Sequence, residues 1–253
     1  MKSHSLSEEE KIRYSRHLKI PTFGLIGQKK LKQRSVFIAG CGGLGSASAL
    51  YLAAAGIGTM RLVDSDVVEL SNLQRQILHS THNIGQTKVE SAKKRLSALN
   101  PNINIMTLHE RITDHNADAL IADSDIVVDA TDNFDTRYVL NDACIKKGIP
   151  FIYGAIFQFS GQMSVFGLDE GPCFQCVFEH PPTEEYKTAN TGVGVIGALP
   201  GVIGSLQAIE VIKHCIGIGN SVSGKLLVFD GLDMQFKEIS IKKNPNCPVC
   251  SSP

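Results

Sequence analysis

A glycine-rich segment, Gly40-Cys41-Gly42-Gly43-Leu44-Gly45, joins the apolar run Val36-Phe37-Ile38-Ala39 to the small-residue helical pattern Ser46 to Ala55. A chain written this way makes a strand, a glycine turn and a helix, which is the opening of a βαβ unit. Each glycine has a separate task. Gly40 takes the tight turn, Gly42 leaves bare backbone for phosphate oxygens, and Gly45 lets the helix close on the strand. The helix N-terminus then presents unpaired N–H groups to an anion. About 20 residues on, Leu62-Val63-Asp64 reads as a second buried strand ending in a carboxylate, where a ribose hydroxyl is held. A glycine turn kept only for packing is the competing reading, and Asp64 weighs against it.

The rest of the chain extends this unit. Ser7 with Glu10 three residues later predicts a capping box and a short helix through about His17, and a second helix covers Leu25 to Gln33. Strands are predicted at 35–39 and 59–63. Val89, Ala92, Leu96 and Leu99 recur at helical spacing before Asn100-Pro101 stops the helix. A strand from Ile103 to Leu108, a short helix near 115–121 and the buried strand Ile126 to Ala130 follow, then a helix from Thr136 to Lys147 closed by Gly148. After the strand Phe151 to Ala155 the grammar changes. Gly161 to Gly167 alternates like a member of an antiparallel pair, 171–191 reads as loop, Val202 to Cys215 is helical, and strands fall near 225–230 and 234–241. The expected fold is α/β, a Rossmann-like doubly wound sheet whose parallel N-terminal half continues into an antiparallel C-terminal half. An arm (1–34), a nucleotide-binding half (35–150) and a second half with antiparallel strands and a metal knuckle (151–253) are the expected parts.

Composition excludes some functions. The 253 residues carry 25 Lys plus Arg against 25 Asp plus Glu, so no global field draws the chain to nucleic acid or anionic lipid, and any anion site is local. No apolar run approaches the ~20 residues that span a bilayer, and the first ten residues lack an apolar signal core. The expected address is the cytoplasm.

Cations and carboxylates gather where the fold would use them. Ser71-Asn72-Leu73-Gln74-Arg75-Gln76 follows Asp64, and Lys88 opens the next helix. A guanidinium that forks across phosphate oxygens and a mobile ammonium suit a triphosphate losing pyrophosphate; the plainer reading is a pair of solvated surface cations. Asp132 and Asn133 stand at the end of the strand Ile126–Ala130, where a carboxylate can hold Mg²⁺ and an amide can cap the next helix. Asp123, Asp125, Asp129, Asp135 and Asp142 are read as turns, caps and solvated faces. Cys173-x-x-Cys176 and Cys247-x-x-Cys250 supply four thiolates in two knuckles, the ligand set of a closed, structural zinc site. Two redox pairs are the alternative, and neither opens a strand-to-helix turn. Cys41, Cys144 and Cys215 are read as small buried hydrophobes, and the histidines are assigned no chemistry.

Taken together, RYSRH at 13–17, GCGGLGS at 40–46, LVDSD at 62–66, LSNLQRQ at 70–76, GQTKVESA at 85–92, DATDN at 129–133, the cysteine pairs and GVIGSLQAIE at 201–210 resemble the MoeB/ThiF/HesA family of ubiquitin-activating-like enzymes, nearest its MoeB members. The resemblance runs from about residue 7 to 250. It implies a homodimer that uses ATP and Mg²⁺ to adenylate the C-terminal Gly-Gly tail of a small β-grasp, ubiquitin-like sulfur carrier. It also implies that Gly43 and Asp64 hold the nucleotide, that Asn72, Arg75 and Lys88 address the phosphates, with Gly40, Gly42, Ser71 and Asn133 around them, and that Asp132 takes the metal. Arg16 resembles the arginine that such enzymes send into the partner subunit's site. Many relatives carry a cysteine ahead of the long C-terminal helix; here 187–193 reads Lys-Thr-Ala-Asn-Thr-Gly-Val, with Asn190 or a neighbour in its place, so the acyl-adenylate is the expected product.

Three other readings use the same residues. A nicotinamide-dependent oxidoreductase shares the glycine turn and Asp64 but leaves Asn72, Arg75 and Lys88 idle. A non-catalytic scaffold for a ubiquitin-like protein leaves Asp132 idle as well. A peptide-modifying adenylating enzyme of the same fold differs only in its substrate. The apolar stretch Val193 to Ile218 is either a subunit interface or a core helix.

Overall fold

The computed structural model describes residues 5–168, 171–185 and 192–251. An arm of three short helices, α1 (Glu8–Arg13), α2 (Ser15–Leu18) and α3 (Gly24–Lys32), precedes β1 (Ser35–Ala39), α4 (Gly43–Ala55) and β2 (Thr59–Val63). Then come α5 (Lys88–Leu99), β3 (Asn104–Leu108), α6 (Ala117–Leu120), β4 (Ile126–Asp129), α7 (Phe134–Lys147) and β5 (Phe151–Phe157). The chain continues through β6 (Ser160–Phe166), the single turn α8 (Phe174–Val177), the long helix α9 (Leu199–Ile216), β7 (Lys225–Asp230) and β8 (Gln235–Ser240).

One eight-stranded sheet holds all the strands in the order β3-β2-β1-β4-β5-β6-β7-β8. Pairs from β3 to β5 are parallel, and those from β5 to β8 are antiparallel. The predicted change of grammar therefore falls at β5, where the hairpin to β6 replaces the helical crossover. Strand order reverses on either side of β1, so the loops after β1 and β4 splay apart at their carboxyl ends and leave a crevice.

Residues 36–39 are all buried, as a central strand covered on both faces requires. Alternation divides them. Val36 and Ile38 pack with Leu52, Leu62, Leu96 and Val211 on one face, and Phe37 and Ala39 with Val127, Leu140, Phe151 and Phe174 on the other. Helix α9 belongs to the first of these cores, while Val193, Ile196 and Ile209 of the same stretch are exposed. A Cβ at Gly204 would lie 2.5 Å from the Leu44 carbonyl oxygen, so α9 and α4 cross with backbones in contact. Helix α9 begins three residues before the predicted start because Pro200 is tolerated in a first turn.

The capping box of α1 is made: Glu10 N–H donates to Ser7 Oγ at 3.1 Å, and Ser7 N–H donates to Glu10 Oε2 at 2.8 Å. The helix does not run through His17, however. It breaks at Tyr14, whose ring is buried against Gly56 and whose hydroxyl accepts from Asn100 Nδ2 at 2.8 Å. That side chain fixes the arm to the C-terminal end of α4. Helix α7 starts two residues early because Asn133 caps it, Oδ1 accepting from Thr136 N–H at 2.9 Å. Within the stretch read as loop, α8 makes one turn, and 186–191 lie outside the described residues. No described helix is long and apolar enough to cross a membrane.

Candidate active site

The glycine turn has the geometry its sequence requires. Gly40 sits at φ +96°, and a Cβ there would meet the Ala130 carbonyl oxygen at 2.7 Å. A Cβ at Gly45 would lie 2.0 Å from the Gly40 carbonyl oxygen, so helix and turn touch only because neither has a side chain. At Gly42 a Cβ would meet nothing nearer than Gln76 Nε2, at 3.7 Å. Its space is open to a cavity of about 720 Å³. Gly43 lines the cavity, and Pro200 of α9 would lie 2.9 Å from a Cβ there, so its bareness also seats α9. The N-terminus of α4 has no side-chain cap, which leaves its first N–H groups for a ligand.

Cations and carboxylates line the same cavity: Asp64, Asp66, Arg75, Lys88 and Asp132. Asp64 Oδ2 accepts from Cys41 N–H at 2.7 Å and Oδ1 from Asp66 N–H at 2.8 Å, so this carboxylate braces the glycine turn and keeps lone pairs for a further donor. Lys88 is only 6% exposed, and its Nζ donates to Asp66 Oδ2 at 2.7 Å. A buried ammonium with one exposed partner is a charge held ready beside the turn, not a solvated surface cation. Arg75 is half-buried, with Nη1 donating to the Ser71 carbonyl at 3.2 Å. Asp132 is exposed at the cavity and has no hydrogen-bond or ion-pair partner among the described residues. A hard, open oxygen donor of this kind fits Mg²⁺, which binds through one or two carboxylates plus substrate phosphates.

The cysteines form a second centre on the far part of the chain. The Sγ atoms of Cys173, Cys176, Cys247 and Cys250 all lie within 4.8 Å of one another. Separations of 3.8, 3.6 and 3.3 Å join Cys173 to Cys176, Cys173 to Cys247 and Cys176 to Cys250. Zn–S bonds of about 2.3 Å in a tetrahedron put sulfurs about 3.8 Å apart, so this donor set fits zinc with no ligand position left over. It ties the tail after β8 to the turn α8.

With both centres described, the sequence can be placed among known proteins. The profile of the ThiF family matches residues 14–249. The chain belongs to the ThiF family. It is 47% identical over 249 residues to the adenylyltransferase and sulfurtransferase MOCS3 of Aedes aegypti, a match that covers 98% of this chain and 57% of that relative. This ThiF-family chain therefore spans little more than half the length of that curated relative. It is 43% identical over 249 residues to the sulfur carrier protein adenylyltransferase of Thermus thermophilus, covering 96% and 92% of the two chains. Its fold is similar to that of E. coli MccB crystallised with ATP, with a TM-score of 0.84 at 26% identity over 95% of this chain and 75% of that one.

Not every expected site residue of this ThiF-family chain reaches the cavity. Asn72 is buried, with its amide engaged locally: Oδ1 accepts from Glu69 N–H at 3.3 Å, and Nδ2 donates to Ser71 Oγ at 3.3 Å. Ser71 is exposed and donates to Glu69 Oε2 at 3.2 Å. Neither lines the cavity; both shape the 3₁₀ turn that delivers Arg75. Asn133 lines the cavity and caps α7 at once. Arg16 is exposed on α2, close to Tyr14 and so to the C-terminal end of α4. The glycine turn is at the other end of that helix, about 20 Å away for its 13 residues. The sequence segment around Asn190, including its missing thiol, lies outside the described residues.

Other residues do more than their sequence reading allowed. Asp129 is not a turn or solvated carboxylate: it is fully buried and paired with Arg137, Nε to Oδ2 at 3.0 Å. Burial pushes its carboxyl up, and Arg137 with Thr131 opposes that rise. The signal was present. Asp129 shares a strand face with Val127, toward α7, where a cation on the first turns of that helix suits a carboxylate. His79 is buried under the glycine turn, Nε2 bonding the Cys41 carbonyl at 2.9 Å and Nδ1 the Ser91 hydroxyl at 2.8 Å. Burial lowers its pKa, so the ring stays neutral and braces the loop. Cys41, Cys144 and Cys215 are buried, as expected, and burial raises all three thiols.

Proposed function

We propose that this chain adenylates the C-terminal glycine of a small ubiquitin-like sulfur-carrier protein, consuming ATP and releasing pyrophosphate. One observation carries the reading: the bare backbone at Gly42, the cations Lys88 and Arg75 and the unpartnered carboxylate Asp132 all face one cavity at the reversal point of the sheet. A nicotinamide dinucleotide needs the glycine turn and Asp64 but has no triphosphate for those cations. Membership in the ThiF family and 43% identity to a sulfur carrier protein adenylyltransferase, against 26% to MccB, favour a carrier protein over a peptide substrate.

The chemistry follows from charge. A C-terminal carboxylate is ionised at neutral pH and needs no general base, so the task is to offset repulsion between two anions and align the carboxylate oxygen with the α-phosphorus. The uncapped N-terminus of α4 takes phosphate oxygens, Asp64 accepts a ribose hydroxyl, and Lys88 exchanges Asp66 for phosphate while Arg75 forks across it. Mg²⁺ bound at Asp132 would neutralise phosphate charge. Arg16 cannot serve its own cavity from the far end of α4, and a two-fold partner that brings its arm across gives this cation a use as pyrophosphate departs. The tail of the carrier reaches the cavity along the 151–253 half, with zinc in the four-cysteine cluster holding that half together.

The product is the acyl-adenylate. Of the three cysteines outside the cluster, each is buried and has its thiol raised, so none offers a ready thiolate to the activated glycine. Pyrophosphate–ATP exchange with candidate carriers tests the whole reading. Exchange that requires the carrier's terminal glycine is expected; hydride transfer from a nicotinamide with no exchange for any carrier would remove the reading.

A further inference from the structure

The ion pair between Asp129 and Arg137 has no part in the chemistry above, yet it is buried to a degree that demands a reason. Asp129 is fully enclosed and Arg137 is 5% exposed. A buried pair of this kind seldom adds net stability over apolar side chains of the same volume, because desolvating two charges offsets most of their attraction. Of the pair's four remaining side-chain hydrogen bonds three go to Thr131, and the fourth runs from Arg137 Nη2 to the Gly154 carbonyl at 3.3 Å. Asp129 Oδ1 accepts from Thr131 N–H at 3.0 Å and from Thr131 Oγ1 at 2.6 Å, and Arg137 Nη2 donates to the Thr131 carbonyl at 2.8 Å. Thr131 is thus pinned through its amide, its hydroxyl and its carbonyl, one residue before Asp132. Gln207 of α9 adds a further tie, Nε2 donating to the Asp129 carbonyl at 2.7 Å and to the Ile152 carbonyl at 3.1 Å.

We infer that the Asp129–Arg137 pair, acting through Thr131, positions the Asp132 carboxylate for the divalent cation that accompanies the nucleotide. The pair fixes the backbone on one side of Asp132, and the Asn133 cap fixes it on the other. Among the described residues Asp132 makes no hydrogen bond or ion pair, so its direction is set by the backbone that carries it and by the nearby charge of Arg137. Asp129 lies behind the cavity wall and Arg137 at its edge, and both have a positioning role in this inference. This inference rests on the proposed adenylation only in assigning a metal to Asp132.

Mn²⁺ is the probe, titrated into the protein with a non-hydrolysable ATP analogue and followed by electron paramagnetic resonance. Outer-shell partners of a ligating group are worth on the order of 10-fold in metal affinity, and Asp129→Asn is expected to weaken Mn²⁺ binding by about that factor. Analogue binding without metal should stay within about twofold of wild type. Thr131→Val keeps the ion pair and removes one anchor, and it should weaken Mn²⁺ binding by a smaller factor in the same direction. Arg137→Lys, which keeps the charge but not the fork, should fall between them. Should Asp129→Asn fail to fold, Thr131→Val carries the test. Variants that melt earlier yet bind Mn²⁺ as wild type does would overturn the inference and leave the pair a core contact. Pyrophosphate exchange by the wild type separates the two claims. Weakened Mn²⁺ binding in a protein that never exchanges supports the positioning role and removes adenylation, whereas exchange with unmoved Mn²⁺ affinity does the reverse.

Discussion

The two chemical centres of this chain are built on opposite plans. In the cysteine cluster four donors converge until their sulfurs lie within 4.8 Å of each other, a closed set that leaves a metal no further position for a substrate. In the cavity the polar groups stand around a space of about 720 Å³, and they bond the protein behind them: Asp64 the glycine turn, Lys88 Asp66, Arg75 the Ser71 carbonyl. A closed set of donors can only stabilise. An open set with its rear bonds made is preorganised for something that arrives. The difference separates a structural site from a reactive one without reference to any relative.

Substitutions should therefore divide cleanly between the two. The largest effect is expected from Lys88→Ala, which in the proposed reaction removes a charge from beside the leaving phosphates. Pyrophosphate exchange should fall by about 10² to 10³ while the melting temperature moves little. Comparable loss of exchange from Cys173→Ser at unchanged nucleotide affinity would blur the division. For the cluster itself, Cys173→Ser or a strong chelator should lower Tm by on the order of 10 °C and expose the tail after β8 to protease. ATP binding to the folded protein should persist.

Mixing chains sharpens the comparison further, because the proposed function completes the open site with Arg16 of a second copy. Arg16→Ala and Arg75→Ala should each be nearly inactive alone. Their heterodimer should regain one intact site of two, giving about a quarter of wild-type activity in a statistical mixture. No recovery in a demonstrated heterodimer would mean that each site takes both residues from one chain.

The smallest effect concerns pH. His79 is held neutral by burial, with its folded pKa below the usual value of about 6.5. The unfolded chain then binds a proton that the folded chain refuses, so stability falls as pH drops below about 6.5 and levels off once the folded pKa is passed. His79→Gln, which cannot titrate, should flatten that part of the Tm–pH curve. An unchanged slope would free His79 from this role.

The parts of the fold legible in the sequence are those fixed by local pattern. The strands at 35–39 and 59–63 and the capping box at Ser7 depend on neighbours in the chain, and these are found where they were expected. The cysteine knuckles were legible for the same reason, since ligand type and spacing state the chemistry. What stayed hidden depends on contacts distant in sequence. Helix α1 stops at Tyr14 because a ring finds Gly56 and Asn100, and nothing near residue 14 announces either. Asn72 was placed on the phosphates by resemblance, yet its amide is turned into its own 3₁₀ turn. Asp129 falls among surface carboxylates when the five acidic residues are taken as one class, yet it closes a strand buried on both faces and shares the face of Val127.

The central claim is that a protein carboxylate attacks the α-phosphorus of ATP in this cavity. A carrier whose C-terminal carboxylate bears a heavy-oxygen label tests it most directly, with the acyl-adenylate afterwards opened by a thiol that attacks its carbonyl carbon. The AMP released should then contain one labelled oxygen. Unlabelled AMP, or label recovered in phosphate beside ADP, would show that the bond forms elsewhere and would contradict the account.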